Sequence, residues 1–183
     1  MITKTEATAE DLYDVPEDGK AEIVNGKVVV ISPTGRLPNR AASKIWLSLY
    51  QYEQKRRTGF AVTDNASFTV DLPNRKSFSP DAAFFIGEDP GMGFFEGAPI
   101  FAAEVRSEND YGAAAEQAIE EKRQDYFAAG TLVVWDVDLL SKDVVRVYRS
   151  DEPKSPTIYR RGEEAEAEPA LPGWSMPVDD LFI

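Results

Sequence analysis

Two carboxylates interrupt segments that otherwise have the composition of buried β-strands. Asp81 follows Pro80 and opens the segment DAAFFI, and Glu104 comes late in the segment IFAAEV. An ionised carboxylate among buried apolar residues is costly unless it is paired with a cation or bound to a metal ion. Two interpretations therefore stay open at this point: a charged or metal-binding site, or ordinary strand ends that point to water.

A lysine on the apolar face of a predicted helix favours the first interpretation. The segment from Gly112 to Ala129 is rich in Ala and Glu and is followed by Gly130, which predicts an α-helix. A lysine on its own can extend past its neighbours to solvent. Beside strand-end carboxylates, however, it can compensate their charge, as a catalytic cluster requires. The inward stripe, at helical spacing, consists of Ala115, Ile119, Lys122, Tyr126 and Ala129.

The composition excludes several kinds of active site. The chain has 183 residues with no cysteine and no histidine, which rules out thiolate nucleophiles, zinc-thiolate sites, Ser-His-Asp triads and HExxH zinc sites. Any metal ion must be a hard, oxygen-bound cation such as Mg²⁺ or Mn²⁺. The net charge of −12 counts against a broad electropositive surface for nucleic acid. Short basic pairs such as Arg75-Lys76 are expected to be solvated surface patches.

The segments that must position these residues alternate between strand and helix patterns. AEIVNGKVVVI predicts a hairpin with a type I′ turn at Asn25-Gly26, and residues 39–57 have the apolar period of a helix that Gly59 closes. The segment GEDPGMGFFEGAP is predicted to be a loop. Further strands are predicted in FAVTD, ASFTVDL, DAAFFI, IFAAEV, TLVVWDVD and DVVRVYR.

The connection between two of these strands predicts the fold class. A strand at 100–105, the helix at 112–129 and a strand at 131–137 form a crossover, which is right-handed by rule and makes the two strands parallel. The hairpins add antiparallel pairs. The sequence therefore predicts an α/β fold with a central mixed β-sheet flanked by helices.

The length favours one domain over residues 1–183, with a core at about 20–150 and C-terminal strands and tail at 151–183. Hydrophobic residues make up 43% of the chain, which is enough for a core. No apolar run is long enough to span a membrane. The polar, acidic start MITKTEATAEDLYD does not resemble a signal peptide, so a cytoplasmic protein is expected.

The ordered motifs resemble those of PD-(D/E)XK nucleases. SPDAAFFI, followed later by FAAEVRS, is similar to the signature of Pro-Asp, a spacer and Glu-x-Lys. With EIVNG, E-V-x-S, K-x-x-x-Y-x-x-x-G and a W-x-V-D strand, the chain resembles more closely the Uma-type restriction-endonuclease family, over about residues 10–182. The resemblance implies a restriction-endonuclease-like core, in which a strand hairpin carrying Asp and Glu is flanked by helices.

The resemblance also implies a metal site. Asp81 and Glu104 match the acidic residues of the signature and would bind Mg²⁺ or Mn²⁺, with the backbone carbonyl of Val105 as a third ligand. Glu22 matches an upstream Glu that often completes such a site. Lys122 matches a helix lysine that substitutes for the signature lysine.

Two positions depart from the pattern of the family. The signature lysine is replaced by Arg106, which stays protonated and can hold a phosphate but cannot act as a base. Asn39 stands where many relatives carry a His that opens the first long helix. Both departures bear on whether the site is active.

The implied reaction is metal-assisted hydrolysis of a phosphodiester. Lys122 would orient water or stabilise developing negative charge. Gln117 and Tyr126 are candidate neighbours that support it from the same helix. Arg106, Lys44 and Arg40 are candidate contacts to the phosphate backbone.

Two other functions stay open. An inactive nuclease-fold binding or assembly module is favoured by the net charge and by Arg106 and Asn39. A glycosidase that uses Asp81 and Glu104 as its carboxylate pair leaves the inward lysine without a task.

The expected partner is nucleic acid, DNA rather than RNA, although the acidic charge weakens this expectation. A membrane partner is not expected. A homodimer is possible through aromatic residues that equally suit the core or a lid, namely Phe94, Phe95, Trp174 and Phe182.

Overall fold

A computed structural model describes residues 6–16 and 19–182 of the chain. Its two α-helices are α1 (Arg36–Arg56) and α2 (Ala113–Ala128), and short 3₁₀ helices lie at Ala9–Leu12 and Val178–Phe182. Both α-helices were predicted, although α1 begins earlier than expected. Within the described residues, no helix combines the length and the apolar character needed to cross a membrane.

The described residues form thirteen strands. In chain order they are β1 (Lys20–Val24), β2 (Lys27–Ile31), β3 (Phe60–Thr63), β4 (Phe68–Thr69), β5 (Ser77–Phe78), β6 (Ala82–Phe85), β7 (Phe95–Glu96), β8 (Phe101–Val105), β9 (Val133–Val137), β10 (Val145–Arg149), β11 (Glu152–Tyr159), β12 (Glu164–Glu166) and β13 (Ser175–Pro177). β7 lies inside the segment that was predicted to be a loop. β12 and β13 lie in the C-terminal tail.

Six strands build the central sheet in the order β11-β10-β9-β8-β6-β3. β8 and β9 are parallel, and α2 connects them, whereas all other neighbours in this sheet are antiparallel. The predicted α/β fold with a central mixed sheet is therefore confirmed, as is the parallel pair around the helix.

The two faces of the sheet carry different clusters of buried side chains. Phe101 and Trp135 point to the face covered by α1 and by the C-terminal segment around Trp174. Ala102 and Val134 point to the opposite face, which packs against Tyr126 of α2. Because β8 and β9 are buried on both faces, any polar side chain on them needs a partner inside the protein. Trp174 is buried, so it belongs to the core and not to an exposed interface.

The hairpin of β1 and β2 is attached to the segment before β6. The backbone N–H of Lys76 donates to the carbonyl of Ile23 (2.9 Å), and the N–H of Ile23 donates to the Oγ of Ser77 (2.8 Å). Asn25 and Gly26 have φ values of 50° and 68°, which agrees with the predicted type I′ turn. The turn and these contacts fix the position of β1 beside the sheet.

Gly59 does not close α1, contrary to the expectation from sequence. The helix ends because Arg57 adopts the left-handed conformation (φ 52°) and donates its N–H to the carbonyl of Glu53. Gly59 instead lies so close to β6 that a Cβ there would be 2.2 Å from the carbonyl oxygen of Phe85 and 2.8 Å from the ring of Phe84. The glycine is required by close packing between the chain and the sheet.

We expect Gly59→Ala to destabilise the protein by about 2 kcal/mol or more, because the added methyl group overlaps a backbone atom that cannot move alone. Gly35→Ala is the control, since a Cβ there has no heavy atom within 4 Å, and it should cost less than about 1 kcal/mol. Urea unfolding of both variants measures the difference. Equal losses would contradict the close-packing explanation.

Candidate active site

Three carboxylates lie in a row across neighbouring strands at one end of the sheet. Ala82 of β6 pairs with Ala103 of β8, which brings Asp81 next to Glu104, and Glu104 pairs with Asp136 of β9. Side chains alternate between the faces of a strand, so all three lie on the face that α2 covers. We call Asp81, Glu104 and Asp136 the acidic row. Each of its members has its own cationic partner.

The cation of Glu104 is Lys122. Its Nζ lies 2.8 Å from the Oε1 of Glu104 and 2.8 Å from the Oε1 of Glu22, so one ammonium group bridges β8, β1 and α2. Tyr126, one turn further along α2, donates its hydroxyl to the same oxygen of Glu104 (2.6 Å). The structure thus brings together Glu22, Glu104, Lys122 and Tyr126, four of the residues that the sequence singled out.

Glu22 is deeply buried, with a side chain that is 6% exposed. Besides Lys122, its partners are the Nη1 of Arg75 (2.6 Å) and the backbone N–H of Ser79 (2.9 Å). Arg75 also donates to Asp125 of α2 (2.8 Å). The expectation that Arg75 belongs to a solvated basic patch was wrong, since its guanidinium is buried between two carboxylates.

The cation of Asp81 is Lys20, a residue that the sequence analysis did not select. Its Nζ lies 2.7 Å from the Oδ1 of Asp81 and 2.8 Å from the Oδ1 of Asp64. The second oxygen of Asp81 accepts the backbone N–H of Val105 (2.7 Å). A signal for Lys20 was present in the sequence, because it precedes Glu22 by two positions and therefore shares its face of β1.

The cation of Asp136 is Arg106, which holds it with two hydrogen bonds of 2.7 Å. The same guanidinium binds Glu116, in the first half of α2. These charge-assisted contacts join the ends of β8 and β9 to the helix. Arg106 is thus committed to two carboxylates, and its predicted contact with phosphate remains an untested expectation.

A cleft of about 700 Å³ opens beside the acidic row, between α2 and the start of α1. Its lining includes Asp81, Glu104, Val105, Lys20, Lys122, Asp64, Asp136 and Asn39. Arg40 and Lys44 follow Asn39 on α1 but do not line the cleft. Gln117 lies on the exposed side of α2, where it donates to Glu121 (2.8 Å). The structure therefore separates Gln117 from Lys122, although both are on one helix.

Burial and ion pairing set the charge states of the cluster. Burial raises the pKa of Glu104 above its usual range, and Asp81 adds to the effect against the opposing influence of Lys122. Glu22 behaves in the opposite way: burial alone would raise its pKa, but Lys122 and Arg75 bring it below the usual value. Burial disfavours the charged forms of Lys20 and Lys122, yet the surrounding carboxylates raise the pKa of both, so both stay protonated.

The donor set of the cleft suits a hard divalent cation. Its acidic side chains offer carboxylate oxygens, and its lining among the described residues contains no methionine, cysteine or histidine. The ion-paired cluster contains five carboxylates (Glu22, Asp64, Asp81, Glu104 and Asp125) and three cations (Lys20, Arg75 and Lys122), which leaves an excess of negative charge. Within residues 6–16 and 19–182, no three acidic side chains converge on one point as a metal site by themselves. A bound cation would therefore also need backbone or water oxygens.

Comparisons with known proteins identify a matching family and a similar fold. The family model Uma2, described as "Putative restriction endonuclease", matches residues 8–179. The fold is similar to that of a solved structure from Anabaena variabilis ATCC 29413, described as "a putative nuclease belonging to DUF820", with a TM-score of 0.74 and 17% sequence identity over 96% of this chain and 97% of that chain. At this identity, the likeness concerns the fold. No curated protein sequence matches the chain significantly.

We expect the stability contributed by Glu22 to depend on pH. Its pKa in the folded protein is below the ordinary value of 4.5, so the ionised group stabilises the fold above that pH, and this stabilisation is lost as the pH falls through the lowered pKa. Glu22→Gln should cost about 3 kcal/mol at neutral pH, because Arg75 and Lys122 each lose a partner.

Urea unfolding of wild type and Glu22→Gln from neutral pH down to about pH 3 measures this dependence. The difference in unfolding free energy should be constant above the usual pKa and shrink below it. The exposed Glu88 provides a control, Glu88→Gln, which should show no such change. A difference for Glu22→Gln that stays constant at all pH values would contradict the ion-pair assignment.

We also expect Arg106→Lys to loosen the first half of α2. A lysine keeps the charge but cannot make the forked contact to Asp136 while it reaches Glu116, so the variant should lose about 2 kcal/mol or more. Amide hydrogen exchange should increase over residues 113–120 more than over 121–128. Arg161→Lys, at an exposed ion pair with Asp179, is the control. Unchanged protection of α2 in Arg106→Lys would show that the contacts of Arg106 with Asp136 and Glu116 are not needed to hold the helix.

Proposed function

The chain belongs to the Uma2 family, as its motifs predicted, and we propose that it is a metal-dependent nuclease that hydrolyses phosphodiester bonds of nucleic acid. The observation that carries the proposal is the position of Asp81 beside Glu104 at the ends of adjacent strands in the cleft, where Lys122 of α2 contacts Glu104. This combination of hard oxygen donors and a protonated amine suits a phosphate group that carries negative charge.

Asp81 and Glu104 would hold the divalent cation, with the carbonyl of Val105 as the further protein ligand. When bound, Mg²⁺ or Mn²⁺ neutralises phosphate charge and lowers the pKa of a coordinated water. Tyr126 has a supporting task, since its hydroxyl donates to one oxygen of Glu104 and fixes the direction of that carboxylate. Burial raises the pKa of Tyr126 well above 10, so it remains a donor.

Lys122 supplies positive charge and hydrogen-bond donors to the cleft. Its raised pKa keeps it protonated, which favours stabilisation of developing negative charge over proton abstraction. Glu22 acts through Lys122: its Oε1 lies 2.8 Å from the ammonium group that also contacts Glu104. We therefore assign Lys122 to charge stabilisation and Glu22 to positioning.

The proposed substrate is DNA, with RNA as the less favoured choice. Arg40 and Lys44 on α1 are proposed to contact the backbone outside the cleft, since Arg106 is held by Asp136 and Glu116. The net charge of −12 implies that binding is weak outside the cleft and falls further as salt increases.

We also retain a homodimer as a proposal, which sedimentation or light scattering can test directly.

A second candidate function is a binding or assembly module without catalysis. It is favoured by one feature of the cluster: each member of the acidic row already has a cation, as in a purely structural ion-pair network. Under this alternative the lysines keep their carboxylates permanently, and no divalent cation binds.

Cleavage assays with plasmid and single-stranded DNA distinguish the two candidates. Wild type should cut in Mg²⁺ or Mn²⁺ and stop when a chelator is added. Asp81→Asn and Lys122→Ala should each lower the rate about 100-fold or more, because one removes a ligand and the other removes a charge that stabilises the transition state. The exposed residues Asp151 and Lys154 give the controls Asp151→Asn and Lys154→Ala, which should cleave like wild type.

Activity that survives the chelator, or full activity in Asp81→Asn, would refute the nuclease proposal. Absence of both cleavage and divalent-cation binding in the folded wild type would support the binding module. Calorimetry with Mn²⁺ on the same samples separates these cases without reference to a substrate.

A further inference from the structure

Lys20 places a second ammonium group in the cleft, and Asp64 is one of the two carboxylates that bind it. Its side chain is 15% exposed, and Nζ contacts Asp64 at 2.8 Å and Asp81 at 2.7 Å. The other oxygen of Asp81 accepts the N–H of Val105. Both oxygens of this carboxylate are therefore occupied by hydrogen-bond donors, and Lys20 is the donor that a side-chain movement can withdraw.

The backbone that carries Lys20 is firmly held. Glu22, two residues later on β1, is bound by Arg75, Ser79 and Lys122 in the interior. Ile23 is hydrogen-bonded to Ser77. We therefore attribute any movement of Lys20 to its side chain. The Nζ of this side chain has two carboxylate acceptors, Asp64 and Asp81.

The two acceptors differ in environment. Asp64 follows β3 and is 33% exposed, whereas Asp81 is 18% exposed and belongs to the acidic row. Lys20 can therefore release Asp81 and keep its ion pair with the more exposed Asp64.

We propose that Lys20 is a tethered counter-ion: it neutralises Asp81 when no divalent cation is bound, and it stays on Asp64 beside the cleft when Asp81 takes one as a ligand. This inference rests on the proposed metal-dependent function. It makes Lys20 a second fixed positive charge for the phosphate group, and it makes Asp64 the residue that positions Lys20.

The proposal predicts effects of opposite sign on binding and on reaction. Lys20→Gln removes a cation that competes for Asp81, so the protein should bind Mn²⁺ about tenfold more tightly. The same variant should cleave DNA about 100-fold more slowly at saturating Mn²⁺, because a charge near the phosphate is lost. A residue that only supports the fold would weaken both binding and cleavage.

Asp64 tests the tether separately. Asp64→Asn leaves Asp81 as the only carboxylate among the described residues that forms an ion pair with Lys20. Lys20 should then compete more strongly for Asp81, and Mn²⁺ should bind about fivefold more weakly than to wild type. In the double variant Lys20→Gln/Asp64→Asn this loss should disappear, and the affinity should match that of Lys20→Gln. Double-variant analysis of this kind isolates the part of the effect of Asp64 on Mn²⁺ affinity that acts through Lys20.

The experiment is calorimetric titration of Mn²⁺ into the chelator-treated full chain, with cleavage rates measured on the same samples. Lys27→Gln, an exposed lysine on the same hairpin, is the control and should match wild type in both measurements. Lys20→Arg keeps the charge and should restore most of the rate. If Lys20→Gln is unstable without the metal, Mn²⁺ binding by Asp64→Asn that is as tight as in wild type, or tighter, would still overturn the tether.

The outcomes separate this inference from the proposed function. If wild type binds no Mn²⁺, the metal-dependent function fails, and the inference fails with it. If wild type binds Mn²⁺ but Lys20→Gln binds it equally or more weakly, the counter-ion role alone is overturned. If Asp64→Asn weakens binding as much in the Lys20→Gln background as in wild type, Asp64 acts on the metal directly and the tether is overturned.

Discussion

Compensation of buried negative charge is the constraint on which the structure depends. The acidic row lies on a sheet face that also carries a cluster of buried apolar side chains, and an ionised carboxylate is stable there only beside a cation. Lys122 meets this requirement for Glu104 and Glu22 together and thereby joins α2, β8 and β1 through one ammonium group. The ion pairs of the candidate site therefore also contribute to the attachment of the hairpin and the helix.

The attachment of α2 shows how far this constraint extends. Of the residues Ala113–Ala128, all of which the structure describes, Tyr126 is the one that is buried. The helix is held to the sheet by polar contacts along its length, from Glu116 near its start to Lys122 and Asp125 near its end. Removing one charge of such a network leaves its partner uncompensated, so residues around the cleft affect stability as well as chemistry.

The parts of the site that could be predicted are those encoded in local sequence patterns. Asp81 and Glu104 were selected because they interrupt apolar segments, and Lys122 and Tyr126 because they share one face of a helix. Arg75 was missed because it lies in a connection without periodicity, and its burial depends on how the distant hairpin packs. Gly59 was assigned to a helix end, since close approach to another strand leaves no local signal.

Arg106 and the position of α2, which carries Lys122, are physically connected. Position 106 follows Glu104 by two residues and so points to the same face of the sheet. An arginine there reaches Asp136 of β9 and Glu116 of α2 at once, which a single ammonium group does not do with the same geometry. Arg106 thus joins the ends of β8 and β9 to the helix that carries Lys122, so one side chain at the strand end contributes to the placement of another from the helix.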